Sequence, residues 1–170
     1  MKSLRPLSTQ EIEVLQTIED LRAQLAMRPD DPGLRGWRAW LYYLGMDYDS
    51  AIADMWFVLR DDPDLLEART FLAQVYLEKA DVLYLKEQGS QRVWQLNELA
   101  IGELERVLAK TPGDQEATQL LAEAYNDKAY FLYLRRADLP LALSLVNRAI
   151  DLHETQTFYL GTKAEVLYAL

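Results

Sequence analysis

Apolar residues along this chain fall at helical spacing in two alternating phrases. The first is Ala, then Leu or Tyr three residues on, then Tyr. It occurs as Ala39-Trp-Leu-Tyr-Tyr43, Ala80-Asp-Val-Leu-Tyr84, Ala129-Tyr-Phe-Leu-Tyr133 and Ala164-Glu-Val-Leu-Tyr168. The second phrase, Ile52, Met55, Val58, Leu59 and Pro63, returns 49 residues on as Ile101, Leu104, Val107, Leu108 and Pro112. An echo with Ile18, Leu21, Leu25 and Pro29 lies 34 residues earlier, and a later one with Leu143, Val146, Ala149 and Ile150 lacks the proline. Apolar residues at i, i+3 and i+6 or i+7 form one face of an α-helix, and a proline just past the last of them ends it.

Two helix types therefore alternate, A carrying the first phrase and B the second. The pattern predicts B at 10–28, A at 32–45, B at 48–60, A at 64–88, B at 90–110, A at 114–136, B at 139–153 and A at 155–170. No segment reads as a strand. Ser8 with Glu11 fits a capping box for the first helix, and Gly89-Ser90 supplies a break and a new N-cap between two long helices. The distances from Pro63 to Ala80 and from Pro112 to Ala129 are equal, so both central A helices are expected to start early.

Alternating helices and 34-residue steps, Ile18 to Ile52, Leu21 to Met55 and Ala39 to Ala73, are the marks of a repeat architecture. In these features the chain resembles a tetratricopeptide repeat protein over residues 10–170, nearly its whole length. The resemblance implies an all-α fold, an α-α superhelix or solenoid of about eight antiparallel helices, here with lengthened central hairpins. It implies one domain over 1–170, made of a partial repeat 10–31, repeats 32–63, 64–112 and 113–154, and a partial repeat 155–170. The family places small residues where its two helices approach closely, and Ala39 with Ala51, Ala80 with Ala100 and Ala129 with Ala142 fit those roles. Tyr42, Tyr48 and Pro63 occupy other characteristic places, whereas the usual Trp and Gly of helix A are mostly missing.

Family geometry also implies which residues face a concave groove. They are Gly33, Gly36, Trp40 and Tyr43 in the first repeat, then Glu67, Thr70, Gln74, Leu77, Asp81 and Tyr84. The third A helix gives Glu116, Gln119, Glu123, Asn126, Tyr130 and Tyr133, and the last gives Phe158, Gly161, Glu165 and Tyr168. The stripe is acidic and amide-bearing, then aromatic, and holds no Lys or Arg. It suits an extended polypeptide with basic or apolar side chains. Amides hold a peptide backbone, carboxylates meet Lys or Arg, and tyrosines offer rigid apolar area with a polar tip. Tyr43, Tyr84, Tyr133 and Tyr168 are expected to form a ladder along this surface. Packing against a neighbouring helix fits the same tyrosines, and a solvated helix face fits the acids.

Composition narrows the partners. A net charge of −9 on 170 residues disfavours nucleic acid, whose binding draws on clustered Lys and Arg. No apolar run approaches the length of a membrane span, and Met1 to Gln10 has no apolar signal core, which makes the cytoplasm the default compartment, or the periplasm for a processed or trimmed chain. Zero cysteines exclude disulfides and thiolate chemistry. His153 stands alone as a helix-end or surface residue, and Asp61-Asp62-Pro63-Asp64 lacks the spaced ligands of a calcium loop and reads as a cap for the next helix. No catalytic group, cofactor or metal site is expected.

These readings give a protein-binding adaptor, co-chaperone or assembly factor, and no enzyme. Carboxylate-clamp members of the family use Lys and Arg on their concave helices, where this chain has Glu, Gln and Asn. The stretch from Leu25-Ala-Met-Arg-Pro-Asp-Asp-Pro through Leu44-Gly45 and Ala51 is similar to the repeat domain of bacterial cytochrome c assembly factors. The alternative is a structural subunit or homo-oligomerising segment with an empty groove. Phe158, Tyr159, Leu160, Val166, Leu167 and Leu170 have no following B helix, so the natural polypeptide continues or the C-terminal helix docks on another chain, a second copy included.

Overall fold

The computed structural model describes residues 9–87, 90–153 and 156–170, with side chains described from residue 16 onward. Among them are eight α-helices and no strand: α1 Thr9–Met27, α2 Pro32–Leu44, α3 Tyr48–Asp61, α4 Leu66–Lys86, α5 Gln91–Lys110, α6 Gln115–Leu134, α7 Leu139–Leu152 and α8 Thr157–Ala169. Each boundary lies within two residues of the one that hydrophobic spacing predicts. The Ser8 capping box falls outside the described residues.

Aspartate starts four of the eight helices. Asp31, Asp47, Asp114 and Asp138 each accept a hydrogen bond from the backbone N–H three residues on, at 3.0 to 3.2 Å, which satisfies one of the orphan donors of a first turn. Ser90 accepts from the Arg92 N–H, as expected. The acidic run before α4 behaves differently from its sequence reading. Leu65 holds the N-cap position without a side-chain bond, and Asp64 is drawn 2.5 Å from Lys110 Nζ, which holds its carboxyl below the ordinary range.

Helix length shows where the long repeat gains its residues. α2, α4 and α6 each begin three residues after a proline, at Pro29, Pro63 and Pro112, so the central A helices do not start early. They end late instead. α2 has 13 residues, whereas α4 has 21 and α6 has 20, two turns more. α5 also has 20 residues against 14 for α3 and α7. The extra turns lie at the C-terminal ends of α4 and α6 and at the N-terminal end of α5.

The chain divides into two compact units, Met1–Pro63 and Asp64–Leu170. In the first, α2 and α3 form an antiparallel hairpin and α1 lies against α2. In the second, α4 pairs with α5 and α6 with α7, while α6 also touches α4 and α8. Helices α4, α6 and α8 thus make one layer, and α5 and α7 the other. The alanines expected at close approaches, Ala39 and Ala51, Ala80 and Ala100, Ala129 and Ala142, are all buried. Removing β-carbon bulk lets two helices come near enough for the flanking Leu, Val and Met to interdigitate.

Each of the first two hairpins also carries a buried carboxylate. Asp54 of α3 accepts from Arg38 through two nitrogens, at 2.6 and 2.7 Å, and from Arg35 at 3.1 Å. Its counterpart 49 residues on, Glu103 of α5, binds Arg69 of α4 and Arg106. Both acids are nearly inaccessible to water, so each depends on its guanidinium partners for solvation. In the α6–α7 hairpin a tyrosine takes over: the Tyr125 hydroxyl donates to Glu105 at 2.6 Å and accepts from Arg148.

Replacing Asp54 by Ala leaves two guanidinium groups without a counter-charge at the α2–α3 seam. We expect a loss of about 3 kcal/mol in urea unfolding, against less than about 0.5 kcal/mol for the exposed Asp61→Ala.

Candidate functional site

The second unit gathers carboxylates on the α4–α6–α8 layer. Four acids, Glu78 and Asp81 on α4 and Glu123 and Asp127 on α6, act on one another electrostatically. The helical repeat makes this unavoidable: Asp81 follows Glu78 by three residues and Asp127 follows Glu123 by four, so each pair shares a face. Packing α4 against α6 then brings the faces together.

Burial and like charge both favour the protonated acids. Asp81 is raised by burial and then by Glu78, and Glu123 by burial and then by Asp81 and Glu78. Asp127 is pushed up to about 8 by burial, with Asp81 and Glu123 adding to the rise and a hydrogen bond from Asn126 opposing it. Among the described residues no Lys or Arg forms an ion pair with Asp81, Glu123 or Asp127. The phenol of Tyr159 on α8 is pushed up to about 12 by burial and by Glu123 and Asp127.

Asn126 is buried on the same helix, and its Oδ1 has no hydrogen-bond partner. An unsatisfied buried carbonyl costs free energy. One turn further on, Tyr130 is hydrogen-bonded to Tyr84, lies 6.0 Å from the ring of Tyr133, and feels the charge of Glu165. Three helices therefore contribute to one surface of carboxylate, amide and phenol.

The sequence-derived stripe distributes over the structure unevenly. Asp81, Tyr84, Glu123, Asn126, Tyr130, Tyr133 and Glu165 are linked in the manner just described. Glu67, Glu116 and Gln119 are exposed nearer the starts of α4 and α6, and Gln74 is half-buried between the two groups. Thr70 and Leu77 are buried in the packing and face no solvent. In the first unit Trp40 is 46% exposed, and the half-buried Tyr43 stands 6.2 Å from Tyr48. Tyr168 is 94% exposed.

The four tyrosines of the first phrase mark helix ends rather than one level of the repeat. Tyr84 and Tyr133 sit in the added turns, two turns further from their helix starts than Tyr43 and Tyr168 are from theirs. Tyr84 and Tyr133 are joined through Tyr130. Sequence reading passed over Asp127 and Glu78, and it counted Tyr159 and Val166 among the uncovered apolar residues of α8, whereas both are buried. The i+4 step from Glu123 and the i+3 step to Asp81 were the available signals for the first two. Tyr159 could be found from its register with buried Tyr76 and Tyr125, at the 49- and 34-residue steps of the chain.

No described group of three or more His, Asp or Glu residues is arranged to hold a metal ion. His153 is the C-cap of α7. No described helix is long and apolar enough to cross a membrane.

No family model matches the chain, and neither does any curated protein. Among solved structures, the chain is similar to MamA, residues 41 to the end, from Desulfovibrio magneticus RS-1, with TM-score 0.58 and 18% identity over 91% of this chain and 80% of that one. The MamA RS-1 ArsTM double mutant gives TM-score 0.57 and 20% identity, over 91% and 81%. A tetratricopeptide repeat protein from Parabacteroides merdae ATCC 43184 aligns over 93% and 79% with 13% identity and a TM-score of 0.38. The fold is an all-α helical repeat of tetratricopeptide type.

An acid raised by folding binds more protons folded than unfolded between its ordinary value, 3.8 for Asp127, and about 8. Stability of the second unit therefore falls as pH rises through that window. Asp127→Asn removes the most strongly raised of these acids, so at pH 8 the variant should be more stable than the parent by roughly 1 kcal/mol or more, with the difference closing towards pH 4. Thermal unfolding across that range reads it, and a variant less stable at pH 8 contradicts the assignment.

Proposed function

We propose that this protein is a protein-interaction module of the adaptor, co-chaperone or assembly-factor kind, and that the α4–α6–α8 surface of its second unit holds a basic polypeptide segment. The observation that carries this reading is the cluster of exposed Asp81 and Glu123 with half-buried Asp127, mutually repelling and, among the described residues, without a cationic side chain paired to them. A lysine or arginine from a partner would replace the shared protons and turn repulsion into charge-assisted hydrogen bonds. Tyr84, Tyr130 and Tyr133 provide stiff aromatic area beside the charges, the kind of group that anchors interfaces. Such a surface binds and positions; it contributes no bond-making chemistry.

Exposed apolar residues on α8 favour a second reading, a structural role through the C-terminal helix. Phe158, Leu160, Leu167 and Leu170 are each at least half exposed. On this reading light scattering finds a dimer that Leu167→Glu returns to monomer, and a monomeric parent removes it.

For the groove, a lysine-rich hexapeptide is titrated by calorimetry at low salt. Because binding a cation to these carboxylates releases protons, affinity should rise from pH 6 and level off above about 8. Glu123→Gln combined with Asp81→Asn should weaken binding roughly tenfold at pH 8. Equal affinity for a glutamate-rich hexapeptide, or no response to the double substitution, rules the proposal out.

A further inference from the structure

The two added turns of α4, α5 and α6 frame a pocket that shares Tyr84 with the carboxylate surface but none of its acids. Its volume is about 300 Å³, and its walls include Tyr84, Val93, Trp94, Phe131, Leu134 and Arg135. The Tyr84 and Phe131 rings, 5.5 Å apart, form one side. Helix α7 keeps the short length and begins only at Leu139, so it does not extend along the added turns of α6. A second hollow lined by Gln91, Trp94, Leu132, Arg135 and Ala137 adjoins on the other side of Trp94. The main pocket lies at the small end of ligand-binding cavities and suits one large apolar side chain better than a cofactor.

Charge at this end has the opposite sign to the rest of the chain. Lys86 ends α4, Arg92 opens α5, and Arg135 and Arg136 follow α6. The acids nearby are Glu87, Asp138 and Glu98; Asp138 is engaged as the N-cap of α7, and Glu98 is paired with Lys128, which lies over Trp94. The positive end of the α5 dipole, capped by Ser90, points the same way. An apolar cavity rimmed by cations selects an apolar side chain flanked by carboxylates, which is the converse of what the α4–α6–α8 cluster selects.

We propose that this pocket is a second docking site, for an acidic polypeptide segment that inserts one phenylalanine-sized side chain between Trp94 and Phe131 while its flanking carboxylates meet Arg135 and Arg92. The site goes beyond the basic-segment reading and does not depend on it.

The probe is the blocked peptide Glu-Asp-Phe-Asp-Glu, titrated into isotope-labelled protein while the Trp94 indole N–H resonance is followed. The expected result is a saturable shift of that resonance. Affinity should fall roughly tenfold for the peptide with Ala at its centre, and by a similar factor for Arg135→Glu, an exposed position whose variant is checked for retained helicity. A shift absent up to about 1 mM peptide, or one unaffected by Arg135→Glu, overturns the proposal. The lysine-rich hexapeptide added alongside must leave the Trp94 shift in place; displacement would overturn it too. Failure of the hexapeptide itself to bind strikes only the carboxylate surface.

Discussion

Close approach of helices at alanine is the constraint on which the other features rest. Ala39, Ala51, Ala73, Ala100, Ala122, Ala124, Ala129, Ala142 and Ala149 are wholly inaccessible to water. Substituting a larger residue at any of them would hold two helices apart and open voids around the Leu, Val and Tyr side chains beside it. Once the seam is fixed, the direction of every other side chain on those helices follows from the helical repeat. Asp54 and Glu103 then fall inside, where only arginines from the facing helix and their own can satisfy them, and Asp81, Glu123 and Asp127 fall together on the opposite layer.

Lengthening acts on this frame without disturbing it. The 49-residue step keeps the seam and the B-helix core of the 34-residue step, and adds its residues at one end of the hairpin, beyond the last close contact. Growth there has little effect on the core, because each helix continues along its own axis. It does change the surface: Tyr84 and Tyr133 are carried two turns out, and three long helices stand beside one short one. New binding surface in repeat folds arises by this kind of local insertion.

The helices were legible in the sequence because apolar residues recur at helical spacing along each, and most are closed by proline, glycine or a capping aspartate. The place of insertion was harder to read. Counting back from Ala80 to Pro63 assigns the extra residues to the helix start, whereas counting forward from each proline assigns them to the end, and only the structure decides. The acidic run at Asp61 to Asp64 misled for a similar reason: a cap is set by backbone geometry at one residue, Leu65, and composition nearby does not fix which residue that is. Asp127 escaped because the groove stripe was taken as a single column, while a side chain one position over reaches the same surface when the neighbouring helix lies close.

That neighbouring column is where the chain departs from its own consistency. Elsewhere buried charge is matched, Asp54 by two arginines and Glu103 by two more. The cluster at Asp81, Glu123 and Asp127 has no such partner among the described residues, although the same sequence has arginine at helical spacing where Asp54 and Glu103 need a counter-charge. A sequence that satisfies its buried acids and leaves these raised carboxylates without a counter-charge gives up stability at neutral pH. Local rules broken without internal compensation mark the places where folding is not the only demand on the residues. On the proposed reading, a cation from a bound polypeptide completes the cluster.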